Sequence, residues 1–295
     1  MKISAVMGVF NGAAGLPGTL DSILAQTEGD FELIVVDDGS CDETPEILRR
    51  YAAADDRIRV ITQPNGGLTR ALIAGCEAAR GDFIARHDNG DRSQPDRFAR
   101  QLAAFTGDVV VVSCGVRFVG PDSELLYDVA AAGDVNESLL HDPVERIRGL
   151  PHHGTAMFRR DAYLAAGGYR EEFRYAQDLD LWIRMAGRGR IVVLPEILYE
   201  ARFETNAISA TRRGDQVALA RISIALRDGA DPSLLEKARG IGRSTRTRRR
   251  GDDAAALYFV ASCLRRNGNP SYERYARAAL RRNPFHLRSW LLLIR

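Results

Sequence analysis

The chain has 295 residues, 45% of them hydrophobic, which is enough for one large α/β domain with a small appendage. No run of eighteen or so apolar residues occurs, and Met1 leads directly into the strand-like Ile3 to Val9 rather than into a basic stretch and an apolar signal region, so a cytoplasmic protein is expected. Net charge is only +2, but residues 237–295 carry 15 basic and three acidic side chains; that asymmetry suits contact with an anionic membrane surface or a phosphorylated lipid, and equally a solvated surface in a sequence that prefers arginine to lysine.

Ile3 to Val9 is closed by the turn signal Phe10-Asn11-Gly12, and Leu16 to Leu24 then places apolar residues at helical spacing. Phe31 to Val36 is a second strand, whose apolar residues run on rather than alternate, which predicts a parallel strand covered on both faces. Thr44-Pro45-Glu46 opens a helix with a capping hydroxyl and a first-turn proline. A strand at Ile58 to Thr62, a helix at Leu68 to Ala79, a strand at Phe83 to Arg86 and a helix at Pro95 to Phe105 complete an alternation that predicts a doubly wound, mostly parallel sheet flanked by helices. Val109 to Cys114 is a very apolar strand, and residues 116–150 read as an irregular insertion. A strand at Thr155 to Phe158, a helix from Asp161, a Gly167-Gly168-Tyr169 turn and a helix through Asp178 to Met185 follow. After Tyr199 only helices are expected. Arg239 to Gly251 suits a linker, and 252–267, 271–282 and 284–294 resemble a helical hairpin plus one more helix, like a fragment of a tetratricopeptide array. The division expected is 1–210 for the α/β domain and 211–295 for a basic, all-helical appendage.

In an open parallel sheet the ligand crevice lies beyond the carboxyl ends of the strands. Four polar clusters fall there: Phe10-Asn11, Asp37-Asp38-Gly39-Ser40, His87-Asp88-Asn89-Gly90-Asp91 and Gln177-Asp178. No GxGxxG follows the first strand and no GxxxxGK[ST] occurs, which argues against a dinucleotide fold or a phosphate loop. A carboxylate at the second strand end suits a uracil-like base stacked on Phe10, although Asp37-Asp38-Gly39-Ser40 serves equally as a turn with a helix cap. Cys41, Cys76, Cys114 and Cys263 are scattered without CxxC spacing, so no zinc site or disulfide framework is expected.

The segments SAVMGVFNG, FELIVVDDGSCDETPEIL, NGGLTRALIAGCEAARGDFIARHDNGDRSQPDRF and YAQDLDLWIRM resemble, in order and spacing, the family 2 glycosyltransferases of GT-A fold over about residues 1–210. The resemblance implies an inverting, non-processive transferase that moves one sugar from a nucleotide-diphosphate donor to an acceptor hydroxyl in surface-glycan assembly. Phe10 and Asp38 would hold the base, in a donor site shared with Asn11, Asp37, Gly39 and Ser40. Arg70 is a candidate phosphate contact, or simply a surface arginine. Residues 88–91 fall on the family's acidic metal motif, which holds a divalent cation (Mn or Mg) between the donor phosphates, and Asp178 falls on the general base. His153, with Gly168 and Tyr169, would face the acceptor, a glycan or lipid-linked molecule.

The principal metal aspartate of that motif falls on Gly90, so Asp88 or Asp91 would have to take the cation. Gln177 stands where glutamate is usual, Ile73 where asparagine is common, and Gly8 where proline is frequent. Two further readings stay open: a catalytically degenerate relative that binds nucleotide-sugar or glycan, motivated by Gly90, and a nucleotidyltransferase, which lacks the basic glycine-rich loop expected after the first strand. Nucleic-acid binding through Arg239 to Arg250 is not expected, because that stretch has no interleaved aromatics.

Overall fold

A computed structural model describes residues 1–130, 135–203, 212–242 and 250–294. Among the described residues one nine-stranded sheet runs in the order β3 (Ile58–Thr62), β2 (Phe31–Asp37), β1 (Ile3–Val9), β4 (Phe83–Arg86), β8 (Met157–Arg159), β6 (Val109–Val119), β9 (Arg190–Arg202) and β5 (Arg92–Ser93), with β7 (Leu125–Val129) paired to β6. The first four strands are parallel. Beyond them the sheet is mixed: β8 is antiparallel to both β4 and β6, while β9 is parallel to β6.

Alternation along β1 feeds two cores. Ile3, Ala5, Met7 and Val9 point to the face covered by α1 (Leu16–Leu24), α2 (Thr44–Ala54) and α4 (Arg97–Ala103). Val6 points to the other face, covered by α3 (Leu68–Ala78), α5 (Val135–His141), α6 (Arg160–Ala165) and α7 (Gln177–Ala186). Every residue of β2 is buried, as its continuous apolar run requires. Glu32, the charge within that run, accepts hydrogen bonds from Ser4 Oγ (2.7 Å) and Arg59 (2.8 Å), and Asp37 ends the strand at the rim.

Residues 116–150 are more regular than the sequence suggested. Strand β6 continues to Val119, turns, and returns as β7, and α5 follows. β9 pairs with β6 along most of its length and shifts register around Gly115. A Cβ there would lie 2.8 Å from Ile197 Cδ1 and 2.9 Å from the Glu196 carbonyl, so only glycine lets the two strands approach at that irregularity.

Helix α8 (Arg213–Arg227) packs on α7, and with α9 (Leu234–Gly240) it builds a cluster of Phe173, Leu219, Ile222 and Ala238. Helices α10 (Arg250–Arg266), α11 (Tyr272–Arg282) and α12 (Leu287–Leu293) pack on the β6–β7 hairpin through Val260, Leu264, Tyr275 and Leu126. Of the expected linker at Arg239 to Gly251, positions 243–249 lie outside the described residues, and Arg239 closes α9, paired to Glu172 and Glu236. No helix among the described residues is long and apolar enough to cross a membrane.

Candidate active site

The loops after β1 and β2 are stitched together by their own polar side chains. Asp37 Oδ1 accepts the Ser40 amide (3.0 Å), Ser40 Oγ accepts the Asn11 amide (2.9 Å), and Asn11 Oδ1 accepts the Cys41 amide (2.8 Å). These residues, with Gly39 at φ +78°, shape the rim. Asp38 reaches the other way. Its Oδ1 accepts from the Gln63 side chain (2.7 Å) and the Gly66 amide (2.9 Å), and its Oδ2 from the Gly67 amide (2.7 Å), which fastens the loop that enters α3. Asp38 lines a pocket of about 340 Å³ with Gly8, Asn65, Leu68 and Tyr175, and Phe10, 50% exposed, stands at its edge. A side-on aromatic beside a fixed carboxylate is what a flat, imide-bearing base requires.

Arg70 is not part of this pocket. Its guanidinium pairs with Glu171 and lines a neighbouring hollow with Thr69 and Arg239. Sequence reasoning missed Arg174, which lines both hollows and has no hydrogen bond or ion pair among the described residues. Its place four residues before Asp178 was the available signal. Ile73 packs against the core, so its departure from the family pattern leaves the pocket untouched.

Leu68 and Tyr175 join the first pocket to a crevice of about 390 Å³ lined by Asp88, Asn89, Asp91, His152, His153, Gln177 and Asp178. Arg86, fully buried at the end of β4, holds Asp88 Oδ1 at 2.7 Å and donates to the carbonyls of Val6 and His87. Burial favours the neutral acid at Asp88, but Arg86 and the neighbouring histidines outweigh it and hold its carboxyl below the usual range. Gly90 sits at φ +92°, a backbone conformation that an aspartate would adopt only with strain. Asp91 reaches the crevice wall, but it is nearly buried and its Oδ1 accepts the Arg202 amide at 2.9 Å. Among the described residues no group of three His, Cys, Asp or Glu side chains is arranged to hold a metal ion. Asp88, with Oδ1 on Arg86, and the buried, unpartnered Asn89 Oδ1 form a sparse oxygen set. Such a set fits a cation that brings phosphate oxygens with it, rather than a cage built by protein alone.

Asp178 lies in the first turn of α7, and its Oδ1 accepts the Leu179 amide (2.9 Å). Burial is the first cause that raises its pKa, and the negative charge of Asp88 adds to it. The preceding residue but one, Ala176, holds φ +54°, a left-handed conformation unusual for a side chain bearing Cβ, and it turns the chain so that α7 begins at the crevice. Behind it Asp180 is clamped by Arg170 (3.2 Å) and Arg184 (2.6 Å).

The expected acceptor residues divide. His153 lines the crevice, but its Nε2 is engaged by the Arg86 Nε–H (3.3 Å) and lies 2.7 Å from the Tyr169 hydroxyl. Burial, with Arg86 beside it, drops its pKa to about 3, so the ring is neutral. Tyr169 and Gly168 do not face the crevice: Tyr169 is packed in the core, and Gly168 lies against the Tyr163 ring, so their acceptor role is corrected to a supporting one. A third hollow, about 540 Å³, opens from Asp178, His152 and His153 toward Val116, Phe118, Tyr127 and Leu150. Phe118 and Tyr127 stack there with ring centroids 4.7 Å apart.

The chain as a whole has counterparts among known proteins. The glycosyl transferase family 2 model matches residues 4–165. The O-antigen biosynthesis glycosyltransferase WbnJ of Escherichia coli is 30% identical over 188 residues, 62% of this chain and 71% of its own. The mannosyltransferase PcManGT of Pyrobaculum calidifontis, in complex with GDP-Man and Mn2+, superposes with TM-score 0.60 at 20% identity over 99% of this chain and 85% of its own. S. aureus TarS in complex with UDP does so with TM-score 0.58 at 17% identity over 94% and 82%. Those two likenesses establish the GT-A fold, and the match over more than half of the sequence establishes the rest: this chain belongs to glycosyl transferase family 2 and is a glycosyltransferase.

Proposed function

We propose that the protein moves a single sugar, with inversion, from a UDP-linked donor to a hydroxyl of a glycan or lipid-linked acceptor in surface-polysaccharide assembly at the inner face of a membrane. Phe10 stacks on the base, and Asp38 receives its imide N–H on the oxygen lone pairs left free by Gln63, Gly66 and Gly67. Arg174, which lines this pocket and has no ion pair among the described residues, takes the place of Arg70 at the donor phosphates. A divalent cation held by Asp88, with Asp91 behind it, would neutralise charge on the leaving diphosphate. Asp178 takes the proton from the attacking hydroxyl, and the aromatic hollow beyond it receives the acceptor. The single observation that carries this reading is a half-buried carboxylate with raised pKa on the wall that also holds Asp88.

A panel of UDP- and GDP-sugars, titrated with and without Mn2+, tests it together with Asp178→Asn. Donor turnover that Asp178→Asn abolishes while donor affinity persists supports the assignment. Turnover unchanged in that variant refutes Asp178 as the base, and binding without turnover on any acceptor favours the degenerate nucleotide-sugar binder.

A further inference from the structure

The largest concentration of exposed apolar surface among the described residues lies on α12 and the turn before it. Phe285 is 88% and Leu287 75% exposed, and Trp290, Leu291 and Ile294 are each about half exposed or more. Positions 287, 290, 291 and 294 fall on one helical face. The opposite face is spoken for: Ser289 is fully buried, and Leu292 and Leu293 pack against the cluster of α10, α11 and β7. The Trp290 indole N–H donates to the Pro284 carbonyl (2.9 Å), so its polar group is already satisfied and the ring body is left outward. Around this edge stand Arg281, Arg282 and Arg288, none with an acidic partner among the described residues.

We infer that this edge is a membrane-docking surface which inserts Phe285, Leu287, Trp290, Leu291 and Ile294 into the interface of an anionic bilayer while the three arginines meet lipid phosphates. The inference deepens the membrane-located acceptor proposed above and rests on that reading for its biological sense, and it narrows the basic region 237–295 to one apolar-aromatic edge with three of its arginines. An aromatic and aliphatic row flanked by arginines matches the amphipathic character of an interfacial anchor. A second copy of this chain fits less well, because pairing the same edge twice brings unpaired arginines together. The helices behind the edge pack on a cluster that includes Phe118 and Tyr127, which also line the hollow that opens from Asp178, so one apolar cluster links the two.

The chain provides its own probe, since Trp182 is buried and Trp290 is the other of its two tryptophans. Sedimentation with phosphatidylcholine vesicles containing about one third phosphatidylglycerol, and Trp290 emission on the same vesicles, are measured for wild type, for Phe285→Ser/Leu291→Ser and for Arg281→Gln/Arg282→Gln/Arg288→Gln. We expect a blue shift and binding in the wild type. Binding should weaken at least tenfold in the serine variant, and in the glutamine variant it should weaken with loss of the preference for anionic lipid. All of the changed side chains are exposed, so thermal melts should coincide. Wild-type binding equal to that of the serine variant, or no blue shift on vesicles, overturns the inference. So does a dimer in solution that the serine variant alone abolishes, which would make the edge a self-association surface. Transfer to a soluble acceptor should be unchanged in both variants. A protein that docks but transfers nothing sinks the catalytic reading alone, and one that transfers without docking sinks only the membrane edge.

Discussion

Phe10 and Asp38 sit on one pocket but should fail differently when changed. Phe10 is half exposed and belongs to none of the core clusters, so Phe10→Ala should weaken donor affinity about tenfold, as expected for one lost stacking contact, with an unchanged melt. Asp38→Ala removes the acceptor of three hydrogen bonds from a nearly buried site, which should cost about 3 kcal/mol of stability as well as donor binding. Calorimetric titration beside thermal unfolding separates the two. At Asp178 the signs reverse. A carboxyl whose folded pKa is raised loses stability as pH climbs from its ordinary value of 3.8 to the raised one, and the penalty is complete above that. Asp178→Asn should therefore leave the fold equally or more stable at pH 7 while transfer falls about 10²- to 10⁴-fold. The wild-type kcat/KM should decline on its acid side above the usual carboxylate range; an acid limb at or below that range would remove Asp178 as the titrating base. Phe10, Asp38, Asp88 and Asp178 were readable from the sequence because each follows a strand end or opens a helix at the sheet's rim. Arg86 was not, since a strand-end arginine gives no hint that it will be wholly buried against Asp88; nor was the pairing of Arg70, whose partner Glu171 is a hundred positions away.

At the scale of elements, the front of the sheet was plain because β1 and β2 are mostly apolar and each is followed by a turn and a helix with a proline in its first turn, although Thr44 does not cap its helix and its hydroxyl accepts the Gly12 amide instead. β9 was obscured by Pro195-Glu196 in its middle and by a pairing with β6 that changes register. Both were resolved by tertiary contact that local pattern does not carry. Helix α7 shows a second kind of tertiary override. Its start at Ala176 is strained, and its first turn is fixed from behind by Asp180 between two arginines. Ala176→Gly should relieve that conformation and leave stability unchanged or higher by up to about 1 kcal/mol. It should also loosen Gln177 and Asp178, so that kcat drops severalfold while donor KM holds; a kcat equal to wild type would show that the strain does not position the base. Asp180→Ala strands two arginines, one mostly buried, and should cost about 3 kcal/mol or more in a denaturant melt.

For the molecule as a whole, the question is what the five helices described after position 212 add to the glycosyltransferase fold. By their packing, α10 and α11 brace the β6–β7 hairpin, whose Phe118 and Tyr127 line the hollow beyond Asp178. The Asn267 side chain donates to the carbonyls of Leu125 (3.0 Å) and Leu126 (2.9 Å), and Arg274 pairs with Asp122 and Glu124 at the turn between β6 and β7. Leu264, fully buried, lies in the cluster against which Phe118, Tyr127 and Phe203 are packed. Phe118 and Tyr127 are also walls of the hollow beyond Asp178, whereas the base pocket at Phe10 and Asp38 shares no residue with that cluster. A cavity at Leu264 should thus be felt on one substrate only. Leu264→Ala should destabilise the appendage by about 2–5 kcal/mol and raise the acceptor KM, while donor affinity and donor hydrolysis stay near wild type. Steady-state kinetics with each substrate varied in turn decides this. Equal losses on donor and acceptor would mean that the helices support the fold in general, and an unchanged acceptor KM despite the lost stability would mean that the hairpin keeps its shape without them.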